Sequence, residues 1–232
     1  MMKKINKIAL LPLIMFSGAA TADLSATITG ASDYTFNGVS QTQNDPAIQG
    51  SVDKSFDSGL YVGSWASNVD FGDTDIEWDF YIGKYQELNA AWSVDYGVAY
   101  YTYHGASESS DGNYPEAYAK FGYNNALGKT EFNFWYSWDY FGVGVGHAIA
   151  MIAHTFEIAP NHALRASFDV SNSLDGDKWL WKDDEKSYYH YRLAYQTSID
   201  AFNIELAAEN TNLDIDTADE RIVLSISRTF SM

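Results

Sequence analysis

The sequence contains no cysteine among its 232 residues. This absence excludes a disulfide framework, a zinc–thiolate site and a cysteine nucleophile. After residue 22 there is also no long apolar run, whereas a membrane-spanning helix needs about 20 apolar residues. Any insertion of that part of the chain into a membrane must therefore use strands, because an open chain cannot satisfy its backbone hydrogen bonds in lipid.

Basic residues are scarce in the chain. Fourteen Lys and Arg stand against 31 Asp and Glu, which gives a formal net charge of −17 at pH 7. Such acidity argues against a nucleic-acid partner, because phosphates require basic patches. It is compatible with a surface that attracts cations.

The first 22 residues have the order of a signal peptide. Lys3, Lys4 and Lys7 precede an apolar segment over residues 8–16, and Ala20-Thr21-Ala22 fits a small-x-small cleavage site. We predict cleavage of residues 1–22 and a mature domain over 23–232. A retained anchor is the alternative, although the apolar segment is shorter than a spanning helix. Cleavage would remove three of the 14 basic residues and leave 11 against 31 acidic ones, a net charge of −20.

Recognisable motifs of catalysis and nucleotide binding are missing. The sequence has no G-x-S-x-G elbow, no Walker loop and no H-E-x-x-H. His147 and His154 are seven residues apart, so on a strand they would lie on opposite faces and could not share a metal. We therefore predict no catalytic residue, no metal site, no cofactor and no enzymatic activity.

The pattern that fills the chain is alternation of apolar and polar residues. In residues 47–56, for example, Ile48, Gly50 and Val52 alternate with polar residues, which is typical of a strand with one apolar face. Aromatic residues make up 16% of the chain, with 17 Tyr and 7 Trp, as in barrels that carry aromatic girdles at both membrane interfaces. Repeated about every ten residues, this pattern predicts one all-β domain.

Twelve strands are predicted, and the connections between them alternate in length. The strands cover residues 24–34, 47–56, 60–68, 75–85, 91–103, 115–124, 129–138, 145–156, 162–171, 187–198, 201–210 and 220–230. The odd-numbered connections are mostly long and polar, and the even-numbered ones are short. An antiparallel up-and-down transmembrane β-barrel has this alternation, because its outer loops are long and its periplasmic turns are short. A soluble sandwich is the less favoured alternative, since it has no reason to sort its loops in this way.

The two faces of the strands can be assigned from the same alternation. The apolar set, which we expect to face lipid, comprises Ile76, Trp78, Phe80, Ile82, Trp92, Val94, Tyr96, Val98, Phe132, Phe134, Tyr136, Leu164, Phe168, Val170, Tyr189, Tyr191, Leu193, Tyr195, Phe202, Ile204, Leu206, Ile222, Leu224 and Ile226. Buried charges need water or counter-ions, so the polar set should face a wet lumen. The candidate pore-lining residues are Glu77, Asp79, Asp95, Glu116, Lys120, Glu131, Arg165, Asp169, His190, Arg192, Glu205 and Glu209.

Two strands resist this assignment. The strand at 60–68 could face either way, and in the strand at 145–156 both faces are largely apolar. Trp179 and Trp181 lie in an acidic loop. We interpret them as part of an aromatic girdle, with stacking on sugar rings as the alternative.

Whole strands of the sequence resemble a known family. SDYTFNGVSQTQNDPAIQGSVD at 32–53, GLYVGSWASNVDF at 59–71, DIEWDFYIGKY at 75–85, YGVAYYTY at 96–103 and NYPEAYAKFGYN at 113–124 are similar to the TorF family, a group of Gram-negative envelope proteins classed as porins. The resemblance implies an outer-membrane barrel and does not imply a particular substrate.

These observations together predict a porin of the cell outer membrane for ions and small hydrophilic solutes. Because acids outnumber bases in the lining, we expect weak cation selectivity. The expected partners are outer-membrane lipids and lipopolysaccharide, whose bridging divalent cations the acidic loops could share. Further copies of the chain, in a homo-oligomer, are another expected partner. Solvation of the loops alone would also explain their acidity.

The C-terminal strand bears on a further partner. In outer-membrane barrels a terminal Phe is read by the barrel-assembly machinery, and here Phe230 is followed by Ser231 and Met232, so the pattern is displaced. Two alternatives to the porin remain open. One is a structural or adhesive barrel with a plugged lumen and interacting loops, and the other is a barrel enzyme.

Overall fold

The computed structural model describes residues 23–182 and 185–232, and the predicted signal peptide lies outside them. Twelve strands close into one antiparallel barrel, in the order β1-β14-β13-β12-β11-β10-β9-β8-β7-β6-β5-β4. They are β1 (Leu24–Ala31), β4 (Ala47–Ser55), β5 (Leu60–Asn68), β6 (Thr74–Glu87), β7 (Trp92–Gly105), β8 (Tyr114–Asn125), β9 (Gly128–Ser137), β10 (His147–Ala159), β11 (His162–Ser173), β12 (Ser187–Ile199), β13 (Phe202–Thr211) and β14 (Arg221–Ser231). The predicted number and antiparallel arrangement of strands are confirmed.

The barrel closes between its first and last strands. Ala26 of β1 pairs with Phe230 of β14 on one side, and Ser25 pairs with Asp53 of β4 on the other. Every other strand pairs with the strands that precede and follow it in the barrel. Closure leaves no open edge, which is the condition for a sheet to lie in lipid.

Long connections gather at one end of the barrel and short turns at the other. We name the long ones L1 (32–46), L2 (69–73), L3 (106–113), L4 (138–146), L5 (174–186) and L6 (212–220). L1 contains a small hairpin of β2 (Thr35–Phe36) and β3 (Val39–Ser40), while L3 and L4 each contain a 3-10 helix, Ser109–Gly112 and Tyr140–Gly142. Among the described residues no helix has the length and apolar character needed to cross a membrane.

The outer face of the barrel is apolar, as expected. All members of the predicted lipid-facing set are exposed or partly exposed except Val94, which is buried. Val94 keeps the outward register of its strand, because it pairs with Gln86 and with Phe121. A ring of exposed apolar side chains around a closed barrel matches the lipid-facing band of transmembrane β-barrels.

The two ambiguous strands are now assigned. In β5, Tyr61 and Trp65 point inward, while Leu60 and Val62 are exposed on the outer face. In β10 the odd-numbered residues from His147 to Thr155 point inward, and Ile152 and Phe156 are exposed. Both faces of β10 are apolar because inward Ile149 and Ala153 are buried inside the barrel.

Candidate functional site

All twelve predicted pore-lining residues lie on the inner face of the barrel. The register links them in rows from strand to strand; one row runs Asp95, Lys120, Asn133, Met151, Asp169, His190 and Thr211. Neighbours in a row share one face of the sheet. This face is the interior, because side chains on non-adjacent strands meet there, as Arg165 of β11 does with Glu131 of β9.

The twelve residues divide by exposure. Glu77, Asp79, Glu116, Glu131, Asp169, His190 and Glu209 are buried, and Asp95, Lys120, Arg165, Arg192 and Glu205 are partly exposed. Six of the seven buried residues lie toward the loop end of their strands, and Glu131 lies toward the turn end. The part of the predicted lining that solvent reaches therefore lies in the middle and at the turn end, and it carries charges of both signs.

Three carboxylates of β6 and β8 form an acidic wall near the loop end. The Tyr101 hydroxyl donates to Glu116 at 2.8 Å, and the Tyr103 hydroxyl lies 3.4 Å from Glu77. Glu77, Asp79 and Glu116 each keep one buried carboxylate oxygen without a hydrogen-bond partner among the described residues. Within the same part of the chain they have no basic group within 4.0 Å. Two of the three carboxylates, Glu116 and Glu77, therefore have a tyrosine hydroxyl beside them in place of an ion-pair partner.

The opposite wall, on β11 to β13, is held by ion pairs. His190 Nδ1 lies 2.8 Å from Asp169, and its Nε2 lies 3.6 Å from Glu209. Arg192 bridges two acids of β13, with Nε 2.8 Å from Glu209 and Nη2 2.6 Å from Glu205. Each carboxylate on this wall has a charged or ionisable partner, which offsets the cost of its burial.

Nearer the turn end the side chains are more exposed and more loosely paired. Arg165 contacts Glu131 at 3.2 Å. Asp95 accepts a hydrogen bond of 2.6 Å from the Tyr61 hydroxyl, which also meets the Tyr118 hydroxyl at 2.5 Å. The Lys120 ammonium lies over the Tyr118 and Trp135 rings, at 4.7 and 5.6 Å from their centroids. These aromatic faces supply a cation–π contact to the lysine.

L1 folds into the loop end of the barrel; the sequence leaves a plugged lumen open but does not indicate that L1 is the segment that enters it. Asn37 Nδ2 donates to Asp169 at 2.9 Å, and the Tyr188 hydroxyl donates to the Asn37 carbonyl at 3.1 Å. On the other side of the mouth, Tyr34 packs edge-on against Trp65 at 5.3 Å. L1 therefore crosses the mouth from β11 and β12 to β5. Nothing local signals this, since Asn37 and Asp169 are 132 residues apart.

Gly38, at the tip of L1, fits this crossing because it has no side chain. Its φ of +81° lies in the left-handed region that favours glycine. A Cβ atom there would meet the His190 ring and the Thr211 methyl group, each at 2.5 Å. The close approach indicates that L1 is fitted against the inner wall.

Aromatic residues of L2, L4 and L5 fill the remainder of the mouth. Their cluster, the mouth cluster, consists of Phe71, Tyr103, Tyr114, Tyr140, Phe141, Trp179 and Trp181, together with Tyr101 and Val145. His147 belongs to its edge, stacked on Tyr140 at 4.1 Å. The assignment of Trp179 and Trp181 to a membrane girdle is wrong, because both rings pack inward on Tyr140, at 5.6 and 5.9 Å.

Fold and interior together define a class. A closed twelve-strand barrel with an apolar outer face, a polar inner face and long loops at one end has the architecture of an outer-membrane β-barrel of the porin type. Residues 16–230 match the model of one family, described as a bacterial protein of unknown function (Gcw_chp), and the chain belongs to that family.

Solved structures place the fold among porins. The KdgM porin superposes with a TM-score of 0.60 at 9% identity, covering 89% of this chain and 99% of that one. The NanC porin gives a TM-score of 0.60 at 9% identity, covering 89% of this chain and all of NanC (100%). KdgM in complex with disordered oligogalacturonate gives 0.57 at 7% identity, covering 90% and 99%. No curated protein matches the sequence.

Proposed function

We propose that the protein is a passive channel of the outer membrane for ions and small hydrophilic solutes. The observation that carries the proposal is the charged inner face of a closed barrel, whose middle and turn end are partly exposed. The resemblance to the TorF family supports the same function. A twelve-strand barrel lies between the filled interior of eight strands and the open channel of sixteen to eighteen, so its passage should be narrow.

We further propose a weak preference for cations. Eight of the twelve candidate pore-lining residues are carboxylates, against two arginines, one lysine and one histidine. Arg165 and Arg192 are each ion-paired with acids, whereas no basic side chain of the described residues lies within 4.0 Å of the acidic wall. The preference should be weak because the partly exposed positions carry both signs. Acidic saccharides are poor candidate solutes for such a lining, although KdgM has been solved with an oligogalacturonate.

The partners we propose follow from the outer surface and the loops. Lipid would cover the apolar band, and lipopolysaccharide would meet the acidic loops. Insertion would depend on the barrel-assembly machinery acting on β14. Association with further copies of the chain stays a prediction, as does the removal of residues 1–22. We propose no enzymatic activity.

The test is the conductance of the refolded mature protein in a planar bilayer under a KCl gradient. We expect stable single-channel steps with a reversal potential that favours K⁺. A reversal potential that favours Cl⁻ would retain the channel and overturn the cation preference. If the protein gives no conductance steps although heat-dependent gel mobility shows that the barrel is folded, the proposed channel is contradicted.

The second candidate function is a structural or adhesive barrel with a plugged lumen. Two observations favour it: L1 crosses the mouth, and the mouth cluster fills the space beside it. The conductance experiment separates the two candidates. A plugged barrel gives no conductance steps, and it begins to conduct only when the loops leave the mouth of the barrel.

A further inference from the structure

The mouth contains a half-open cavity of about 280 Å³, the mouth cavity, between L1 and the aromatic residues of L2, L4 and L5. Its lining includes Tyr140, Phe141, Trp179 and Trp181 and contains no charged side chain among the described residues. The volume is just below the ~300–1,000 Å³ of pockets that hold drug-sized molecules. The cavity therefore suits a ligand with one ring, or the terminal ring of a longer one.

The rings around the mouth cavity present flat faces in different directions. Phe141 and Trp179 are almost parallel, with planes 7° apart and centroids 6.3 Å apart. Trp181 is nearly perpendicular to Trp179, at 88° and 5.8 Å. An aromatic face carries partial negative charge, so it attracts the slightly positive C–H groups of a ligand.

Polar groups stand beside these faces. Gln41 donates its amide N–H to the Val39 carbonyl at 2.8 Å, and Gln43 donates to the Asp70 carbonyl at 3.1 Å. Both side chains line the cavity, and these bonds hold them in place while leaving the amide oxygens as acceptors. The indole N–H groups of Trp179 and Trp181 are buried and have no hydrogen-bond partner among the described residues. Because solvent does not reach these two N–H groups from the cavity, the polar groups that a ligand would meet there include the Gln41 and Gln43 amides.

We propose that the mouth cavity binds a ring of a neutral saccharide. A pyranose combines the two properties that the lining requires, because its C–H groups form apolar faces and its hydroxyl groups form a polar rim. The lack of a basic residue in the lining disfavours an acidic sugar, whose carboxylate would lose water without gaining a partner. Binding at this site does not depend on whether the barrel conducts, so it can be tested separately from the channel.

The test is a titration of the refolded mature protein in detergent, followed by tryptophan fluorescence and by calorimetry. The ligands are cellobiose and maltotriose as neutral saccharides, digalacturonate as an acidic one, and indole as an apolar ring without hydroxyl groups. We expect saturable binding of at least one neutral saccharide with a Kd on the order of 1 mM. Binding of indole alone would overturn the proposal, and so would equal or tighter binding of digalacturonate.

Variants locate the site. Trp179→Ala should weaken binding about three- to tenfold, the loss expected for one aromatic stacking contact. The matched control is Trp92→Ala, because Trp92 is exposed on the outer face and packs against Tyr123, so the saccharide affinity of this variant should be unchanged. Gln41→Leu conserves the approximate size of the side chain and removes its acceptor, so it should weaken binding without collapsing the mouth. This second variant decides the question if Trp179→Ala fails to fold. If Trp92→Ala and Trp179→Ala lost the same saccharide affinity, the proposed site would be wrong. It would also be wrong if neither Gln41→Leu nor Trp179→Ala lost affinity.

Discussion

The loop end and the turn end of the barrel interior are built by the same strands but differ in how they are filled. At the loop end, Asp169 and Glu116 are fully buried, L1 crosses the mouth, and aromatic rings pack together beside it. At the turn end no long connection is available to enter, and Asp95 and Arg165 remain partly exposed.

The difference teaches that the strands set which residues point inward, whereas the loops set which of them meet water. At the turn end Asp95 has solvent within reach, whereas Glu131 is buried and contacts Arg165 and Lys129. At the loop end the carboxylates lie away from solvent, and Glu116 and Asp169 have protein partners in the Tyr101 hydroxyl, the His190 ring and the Asn37 amide of L1. Polar groups buried in this way stabilise only while each partner is present.

The largest effect should come from removing a partner at the loop end. Asp169→Ala leaves His190 and Asn37 without the carboxylate that both contact, at 2.8 and 2.9 Å. Breaking a buried ionic contact from one side costs about 3–5 kcal/mol, and we expect a loss of that size in the free energy of unfolding. Urea unfolding in lipid vesicles, followed by tryptophan fluorescence, measures it.

Arg165→Ala is the matched control from the turn end. Arg165 is partly exposed, and Lys129 remains 3.5 Å from Glu131 after the arginine is removed. We expect a loss of about 1–2 kcal/mol. If both variants lost the same free energy of unfolding, the difference in burial between the two ends would have no effect on stability.

The second prediction concerns the contact of L1 with the inner wall of the barrel. Two glycine variants distinguish the loss of this contact from simple backbone strain. Gly38→Ala would place a Cβ at 2.5 Å from His190 and Thr211, so L1 must leave the wall. Gly72→Ala in L2 has a similar positive φ, +72°, with open space around it. Each variant costs roughly 1–3 kcal/mol of backbone strain. Only Gly38→Ala should also raise single-channel conductance, by about twofold, because the narrowest part of a pore governs its flow.

Identical conductance in the two glycine variants would mean that L1 does not obstruct the passage. If the unsubstituted protein gave no conductance steps and Gly38→Ala gave measurable ones, the result would instead support the plugged barrel as the resting state. Either result tells whether the loop end or the turn end limits flow.

The strands were predictable from the sequence for a physical reason. In a closed barrel every strand obeys one alternation, so a local pattern of ten residues fixes both the strand and its inward side chains, as in the segment from Ile76 to Ile82. The strand at 145–156 was ambiguous because the interior beside it is itself apolar, with Ile149 and Ala153 buried.

The loop end of the site could not be predicted in the same way. Loops have no periodicity, and the contacts that fold L1 inward join residues far apart in the chain, such as Asp33 and Arg221 at 2.8 Å. Trp179 and Trp181 have the composition of a girdle and were misassigned for that reason. Their position is set by packing on Tyr140 and Tyr188, which no local pattern encodes.

The smallest predicted effect is on ion selectivity, and it compares the partly exposed charges of the interior with the buried ones. Asp95 is partly exposed, so Asp95→Asn removes a charge that permeating ions would meet. We expect the K⁺ to Cl⁻ permeability ratio to fall by about twofold. Lys120→Gln removes a charge of opposite sign from the paired position on β8 and should raise the ratio.

Asp79→Asn at the buried acidic wall should change the ratio less than Asp95→Asn does, because Asp79 is only 6% exposed. Reversal potentials under a KCl gradient measure all three variants. A larger shift for Asp79 than for Asp95 would contradict the division of the interior and make the acidic wall the selective element.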